Sequence, residues 1–308
     1  MAGRTRLLAA SWSTVAEGYE REMSSRFEPW IAETIAEVTR RHLPPGPIYS
    51  LACGPGPELV ALAKAFPSRA IVGVDVAEGM VRRARAAVLE AGLQDRVVVR
   101  VGDAMEEPAA AGTGDEGGRG AKGGSALAER GAALSAPRPA AIICCFALNQ
   151  LPEPPAALER WARSLAPGGV VAVAYWPGAV EDEGPWRRLT DLTLGVRVQD
   201  RAMRNVIAWL PAAASAGLTL RRDSTSSHAM TWPGGAAQFW EVLTRQGAWH
   251  ARRLAKGDED MERVRSAFLQ AYSDPEKPLE HWPKARVIVI QKSTEERKGD
   301  GEPGRARL

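Results

Sequence analysis

Residues 48–75 read IYSLACGPGPELVALAKAFPSRAIVGVD. An apolar run comes first, the glycine-containing turn 53–56 interrupts it, and Pro57 suits the first position of a helix. Apolar residues then repeat at helical spacing: Leu59, Leu62, Ala63 and Phe66. The β-branched run 71–74 ends in Asp75. This order of strand, turn, helix and strand predicts half of a doubly wound parallel sheet, in which ligands bind at the carboxyl ends of the strands.

The turn and the acid at the second strand end suggest a ligand site. Gly54 and Gly56 lack a Cβ, so the backbone can approach a ligand closely there. The helix start near Pro57 offers unpaired N–H groups to an anion. Asp75 follows about 20 residues later, where a carboxylate can accept both ribose hydroxyls. The first hypothesis is therefore an adenosine-type cofactor with a negatively charged far end, and the alternative is a tight turn beside an ordinary strand end.

Two later motifs narrow the choice of cofactor. The third glycine of a dinucleotide fingerprint is absent, because Leu59 occupies its place. A third apolar strand ends in Gly102-Asp103-Ala104, and the turn Pro167-Gly168-Gly169 precedes a fifth strand. With these motifs the chain resembles the class I S-adenosylmethionine-dependent methyltransferases over residues 48–176. It looks most like the small-molecule (methyltransferase type 11) branch, which includes quinone-biosynthesis enzymes.

The resemblance implies an α/β fold: a doubly wound, mainly parallel, seven-stranded sheet (the Rossmann-like methyltransferase fold) with a helical cap. It also implies S-adenosyl-L-methionine as the cofactor and a small molecule as the methyl acceptor. The residues that it places at the cofactor are Ala52, Cys53, Gly54, Gly56, Asp75, Val76, Met80, Asp103, Ala104 and Phe146. The residues that it places at the substrate are Tyr19, Asn149 and Trp176.

Besides the inserted stretch after the third strand and the missing acid at Ala140 or Ala141, the chain departs from the family pattern at residues near the site. Ser50 stands where the family often carries an acid that helps to hold the cofactor's ammonium group, and Ala52 replaces the first glycine. Backbone carbonyls are one possible substitute for the missing acid. Asn149 stands near a place where related enzymes often have a histidine. It can orient a substrate or cap the next turn, but it is no base near neutral pH, so no catalytic residue is assigned.

Composition divides the chain into four parts. Residues 1–46 predict a helical segment over the pocket, and 47–176 the cofactor-binding core. The Gly/Ala-rich stretch 108–138 has few large apolar residues and predicts a disordered insertion in that core. Residues 177–292 predict a helical cap with the last two strands, and 293–308 a disordered tail. Within the third part the predicted elements are helices at 185–195, 201–216, 236–254 and 258–272, with strands at 218–223 and 285–291.

The net charge and the cysteines indicate which partners and which cellular compartment to expect. The net charge of +3 is too balanced to predict nucleic acid or a membrane surface as a partner, and no apolar run has the length of a membrane span. The three cysteines, Cys53, Cys144 and Cys145, lie in predicted strands or the turn and have no metal-ligand spacing. We expect a reducing, cytoplasmic setting. The basic stretch 1–16 leaves an organellar transit segment as an alternative. The sequence makes no prediction about oligomeric state.

The predicted chemistry is direct, in-line transfer of the methyl group, because no motif demands a metal, a base or a covalent nucleophile. A nicotinamide-dependent oxidoreductase shares the first strand, the turn and Asp75, but Leu59 and the Pro-Gly-Gly turn disfavour it. A nucleic-acid methyltransferase usually has an Asn/Asp-Pro-Pro-aromatic motif where this chain reads Ala147-Leu148-Asn149-Gln150. A non-catalytic protein that binds S-adenosylmethionine stays open, given Ser50 and Ala52.

Overall fold

The structure is a computed structural model, and it describes residues 2–106, 137–194, 217–245 and 256–294, together with 250 and 253. The predicted helix at 201–216 and most of the predicted insertion and tail lie outside these residues. In the described part of the chain, no helix combines the length and apolar character needed to cross a membrane.

One seven-stranded sheet organises the described chain, and it confirms the predicted fold class. Its strands are β1 (Ile48–Leu51), β2 (Ile71–Asp75), β3 (Val97–Val101), β4 (Ala141–Cys145), β5 (Val170–Tyr175), β6 (Leu218–Ser227) and β9 (Lys284–Lys292). Their spatial order is β3-β2-β1-β4-β5-β9-β6. The first five strands are parallel, and β9 runs antiparallel to both of its neighbours.

The register of the parallel strands places their carboxyl ends at one edge. Ile48 of β1 is paired with Ile71 of β2 and with Ala141 of β4, so these three strands start level. The chain order reverses at β1, because β2 lies on one side of it and β4 on the other. The loops that leave β1 and β4 therefore diverge to opposite faces and leave a crevice, as in other doubly wound sheets.

Helices cover both faces of the sheet. They are α1 (Ala2–Tyr19), α2 (Ser25–Thr39), α3 (Pro57–Ala65), α4 (Glu78–Glu90), α5 (Pro154–Ser164), α6 (Pro185–Leu194), α7 (Gly235–Arg245) and α8 (Asp258–Leu269). Alternate strand residues belong to two buried clusters, one packed under α2, α3 and α4 and the other under α5. This two-sided burial explains why the central strands are apolar at almost every position.

The last two strands of the sheet are longer than predicted. Strand β6 continues to Ser227, because its pairing with β9 runs on to Lys284 after a bulge between Leu220 and Arg222. Residues 221–227 of this edge strand are all polar and alternate between exposed and partly buried, so the apolar content of the strand indicated only its first half. The predicted helix 236–254 is described as far as Arg245, and the predicted helix 258–272 ends at Leu269.

The segment after β6 contains a second, two-stranded sheet that the sequence did not predict. It pairs β7 (Met230–Trp232) with β8 (Leu279–His281). The indole N–H of Trp232 donates to Nε2 of His281 at 2.9 Å, and Nδ1 of the same ring contacts Glu181. Because an indole nitrogen only donates, Nε2 must accept, which leaves the proton of the neutral ring on Nδ1. These buried polar groups tie the two short strands to the chain after β5.

The N-terminal helix lies across α4 at a position that only glycine allows. A Cβ on Gly79 would stand 2.4 Å from the carbonyl oxygen and 2.7 Å from the Cα of Ser13. The Gly79 N–H donates to Oγ of Ser13 at 3.1 Å. Helix α1 continues through a π-helical turn, Glu20–Ser24, into α2. The close approach at Gly79 therefore sets how far α1 reaches over the edge of the sheet.

We expect Gly79→Ala to force α1 away from α4. Overpacking of this kind lowers the free energy of unfolding by about 1–3 kcal/mol, and urea denaturation measures it. Arg82→Ala on the same helix is the matched control, because that side chain is exposed and its pairing with Glu78 is a surface contact. Equal stability of the two variants would contradict the tight packing at Gly79.

Candidate active site

A cavity of about 580 Å³ opens at the carboxyl edge of the parallel strands. Its floor comes from the loops after β1, β2, β3 and β4, and its roof from α1, α2 and the turn between them. All but two of the residues predicted for the site line it. Those that do are Tyr19, Ala52, Cys53, Gly54, Asp75, Val76, Met80, Asp103, Ala104, Phe146 and Asn149.

Gly54 borders open space in the cavity. Its φ is +52°, and a Cβ built on it would meet no atom within 4 Å. A side chain here would project into the space beside the loop instead of clashing with protein. The backbone at Gly54 is therefore open to a ligand, as its place in the motif predicted.

Gly56 does not line the cavity, so the prediction that it faces the cofactor does not match the cavity found. Its φ is +88°, and a Cβ there would lie 3.0 Å from the Cβ of Ala84. Glycine is needed at this position for the left-handed turn before α3 and for the close packing of α3 against α4. The motif alone could not separate this packing role from close approach to a ligand.

Two non-glycine residues at the cavity have a left-handed backbone. Ala52 has φ +53° at the end of β1, and Phe146 has φ +62° at the end of β4. Each such conformation costs about 1–2 kcal/mol for an L-residue with a Cβ. The Phe146 turn is supported by Gln150, whose Nε2 donates to the Phe146 carbonyl at 3.2 Å. Strain of this kind concentrates at functional sites, where it fixes the direction of a loop.

Asp75 is held by the backbone of the neighbouring loops. Its Oδ2 accepts the Gly54 N–H at 2.8 Å, and its Oδ1 accepts the Ala77 N–H at 2.9 Å. Burial raises the pKa of this carboxyl, and the N–H groups of Ala77, Gly54 and Val76 act in the opposite direction. The carboxylate is thus fixed across the mouth of the glycine turn, 21 residues away in sequence.

Asp103 and Ala104 lie where the chain leaves β3. One carboxylate oxygen of Asp103 accepts the Met105 N–H at 2.8 Å, so the residue does form a turn. The Ala104 carbonyl accepts the indole N–H of Trp161 at 2.7 Å. Both residues also line the cavity. The turn therefore presents Asp103 to the cavity, and forming this turn is compatible with a contact to the cofactor.

Aromatic rings form one wall of the cavity. The ring centroids of Tyr19 and Phe27 are 6.1 Å apart, and those of Phe27 and Phe146 are 4.7 Å apart. Trp176 was predicted to line the pocket, but it does not. It packs behind this wall, where its ring centroid lies 4.4 Å from that of Phe146 and 4.8 Å from that of Trp186. Trp176 follows β5 directly, and the aromatic cluster around Phe146 holds its indole outside the cavity.

Glu58 is a charged lining residue that the sequence analysis did not assign to the site. It is the second residue of α3, and only 3% of it is exposed. Its Oε1 accepts a hydrogen bond from Oγ of Ser50 at 3.0 Å. Burial raises the pKa of Glu58 to about 7, the hydrogen bonds from its own N–H and from Ser50 lower it, and nearby Asp75 raises it. The available signal was an acid eight residues after the serine that replaces the expected acid.

The titratable groups around the cavity are poor covalent nucleophiles. Burial raises the pKa of the Cys53 and Cys145 thiols well above the ordinary value, so both stay protonated near neutral pH. Burial also raises the pKa of Tyr19, and the charges of Glu58 and Asp75 act in the same direction. In the part of the chain that the structure describes, no cluster of His, Cys, Asp and Glu side chains has the geometry of a metal site.

Comparisons with known proteins match this chain to methyltransferases. A family model described as a methyltransferase domain matches residues 49–171. Trans-aconitate 2-methyltransferases of Sinorhizobium fredii and Rhizobium meliloti are 26% and 28% identical over 268 residues, or 86% of this chain and 82% of each relative. A demethylmenaquinone methyltransferase of Symbiobacterium thermophilum is 33% identical over 100 residues, which are 30% of this chain and only 39% of that protein.

A solved structure shares the fold. The YcgJ protein of Bacillus subtilis superposes with a TM-score of 0.52 at 16% identity, covering 85% of this chain and 99% of that one. The likeness supports the mostly parallel seven-stranded sheet described above.

We expect the buried thiols to react slowly in the native protein. Alkylation by iodoacetamide at pH 8 should be at least about tenfold slower in buffer than in urea for Cys53, Cys144 and Cys145, because the thiolate is the reactive form and burial disfavours it. Peptide mass spectrometry measures each rate. Fast labelling of Cys53 or Cys145 in buffer would contradict a protonated, inert thiol beside the cavity.

Proposed function

Since this chain carries the methyltransferase domain of the class I S-adenosylmethionine-dependent enzymes, we propose that it transfers a methyl group from S-adenosylmethionine to a small, uncharged acceptor held at the aromatic wall. One observation carries the proposal: the glycine turn, the Asp75 carboxylate and the aromatic wall all face one cavity. That cavity lies at the switch point of the sheet, where such folds bind their ligands.

The cofactor end of the cavity has suitable partners for each part of the molecule. Gly54 leaves open space for the amino-acid end, and the positive end of the α3 dipole favours its carboxylate there. Both oxygens of Asp75 accept backbone N–H groups, and the carboxylate has about four acceptor sites, so it can still accept from a ribose hydroxyl. Val76 and Met80 would flank the adenine, and Asp103 would accept from its amino group. The volume of about 580 Å³ leaves room for a small acceptor beside it.

The protein's part in the reaction is to position and to exclude water. Bound S-adenosylmethionine supplies a methyl group that is already activated by positively charged sulfur. The faces of Phe27 and Phe146 attract such a cation and keep water away from it. Tyr19 stays protonated and can donate a hydrogen bond to an acceptor oxygen, and Asn149 can orient the acceptor at the mouth. Holding the acceptor atom in line at about 3 Å is then the main catalytic contribution.

The lining charges favour an uncharged acceptor. Among the described residues at the cavity there is no lysine or arginine, whereas Glu58, Asp75 and Asp103 are acids. Trans-aconitate, which the longer-matching relatives are named for, is a tricarboxylate and would meet three acids and no cation among the described residues of this cavity. Demethylmenaquinone, which the shorter-matching relative is named for, is an apolar quinone and suits the aromatic wall better.

Transfer of label tests the proposal. The protein is incubated with methyl-labelled S-adenosylmethionine and, in separate reactions, a quinol, trans-aconitate or a neutral extract of its source cells. We expect label in a product that partitions into organic solvent at neutral pH. Label only in an anionic product would overturn the acceptor class. Stoichiometric cofactor binding without any transfer would indicate a non-catalytic binding protein.

Asp75→Ala should weaken binding of S-adenosylhomocysteine by at least tenfold, which corresponds to about 1.4 kcal/mol. The reason is loss of the group that accepts the ribose hydroxyls. Isothermal titration calorimetry measures the affinity. The affinity for 5′-methylthioadenosine should fall by the same factor, because this ligand has the same ribose. The exposed Glu78 nearby provides the control Glu78→Ala, which should bind both ligands like the wild type. If Asp75→Ala binds S-adenosylhomocysteine with unchanged affinity, Asp75 does not bind the ribose.

A further inference from the structure

A buried carboxylate without a cation faces the cavity. The Glu58 side chain is turned inward from the first turn of α3, and Ser50 is its hydrogen-bonding side-chain partner. Among the ion pairs of the described residues, none includes Glu58. A buried carboxylate is costly unless it is paired. The start of a helix stabilises an acid by at most about 2 kcal/mol, which is less than the cost of burying an unpaired carboxylate.

The position of this carboxylate matches the missing acid of the family pattern. The side chain of Ser50 is fully buried, and its Oγ lies 3.0 Å from the Glu58 carboxylate. Glu58 therefore brings its charge to within one hydrogen bond of position 50, where the family pattern often has an acid. The short Ser50 side chain leaves space for the longer Glu58 side chain and donates to it.

On the basis of the proposed function, we propose that Glu58, oriented by Ser50, pairs with the ammonium group at the amino-acid end of S-adenosylmethionine. In this assignment α3 supplies the carboxylate that the family pattern places on β1. Glu58 is a binding residue in this assignment, and Ser50 is a positioning residue that acts through it.

The titration of Glu58 gives the assignment a pH signature. Burial raises the pKa of Glu58 to about 7, so in the free protein it loses its charge as the pH falls through neutrality. An ammonium group pairs with the charged form only. Affinity for a ligand with that group should therefore rise from pH 5.5 to pH 8 and then level off, while affinity for a ligand without it should change little.

Few other groups titrate near Glu58 in this range. Those that interact with it electrostatically are Tyr19, Cys53, Asp75, Cys144 and Cys145. The pKa values of the phenol and the three thiols are raised by burial, so these groups stay neutral below pH 8. Asp75 remains, and both test ligands contact it through the same ribose, so its titration affects them equally.

Two ligands and two variants test the assignment. Calorimetry compares S-adenosylhomocysteine, which has the ammonium group, with 5′-methylthioadenosine, which lacks the amino-acid end. We expect Glu58→Gln to weaken binding of S-adenosylhomocysteine by at least tenfold and binding of 5′-methylthioadenosine by less than twofold. It should also flatten the pH dependence for the first. The double variant Ser50→Asp/Glu58→Gln returns an acid to the strand and should recover most of the lost affinity.

The outcomes separate the two proposals. Equal weakening of both ligands by Glu58→Gln, or no weakening of either, would overturn the role of Glu58 and leave the methyltransferase proposal in place. Retained binding of 5′-methylthioadenosine shows that each variant is folded. If the wild type binds neither ligand, the proposed function fails first, and the assignment of Glu58 fails with it. Glu78→Gln, an exposed acid at the start of α4, is the control for loss of one negative charge.

Discussion

The hydrogen bond from the Gly54 N–H to the Asp75 carboxylate joins the ends of two neighbouring strands, and the cavity depends on it. It fixes the glycine turn over the end of β2 and points both groups at the same space. The level start of β1 and β2 makes this contact possible, because their ends then meet at one edge. The reversal of strand order at β1 leaves the crevice open above it. The site is thus a result of sheet topology completed by one charge-assisted hydrogen bond.

The strands of the sheet core could be predicted from the sequence because the patterns that indicate them lie within short stretches of chain. The run that starts at Ile48 and the run that ends at Asp75 have the composition of strands buried on both faces, and the turn between them admits few conformations. The aromatic wall was only partly predictable. Both Phe146 and Trp176 were predicted to face the cavity. Phe146 lines it, whereas the indole of Trp176 packs behind Phe146. Which of two neighbouring rings faces a cavity depends on contacts between distant elements, and no spacing rule contains these.

Gly56 and Glu58 show the same limit at closer range. Both belong to the motif that decides the fold, yet the motif suggested a ligand role for the glycine and none for the acid. The need for glycine at position 56 comes from its close contact with Ala84 on α4. The inward orientation of Glu58 comes from its hydrogen bond with Ser50 on β1. A helix start normally presents an acid to solvent, so an inward-facing glutamate is visible only once the helix has been packed on the sheet. Residues next to one another in a motif can thus serve packing and binding separately.

The bond between Ser50 and Glu58 also limits how this site can have evolved. If an ancestor carried its acid on the strand, the exchange passed through a chain with acids at both positions or at neither. The first intermediate would bury three like charges with Asp75 around one crevice, which raises the cost of the empty state. The second would leave the ligand's cation without a counterion. Because each single step is costly, the two positions should change together across descendants, as a pair inherited or replaced as one unit.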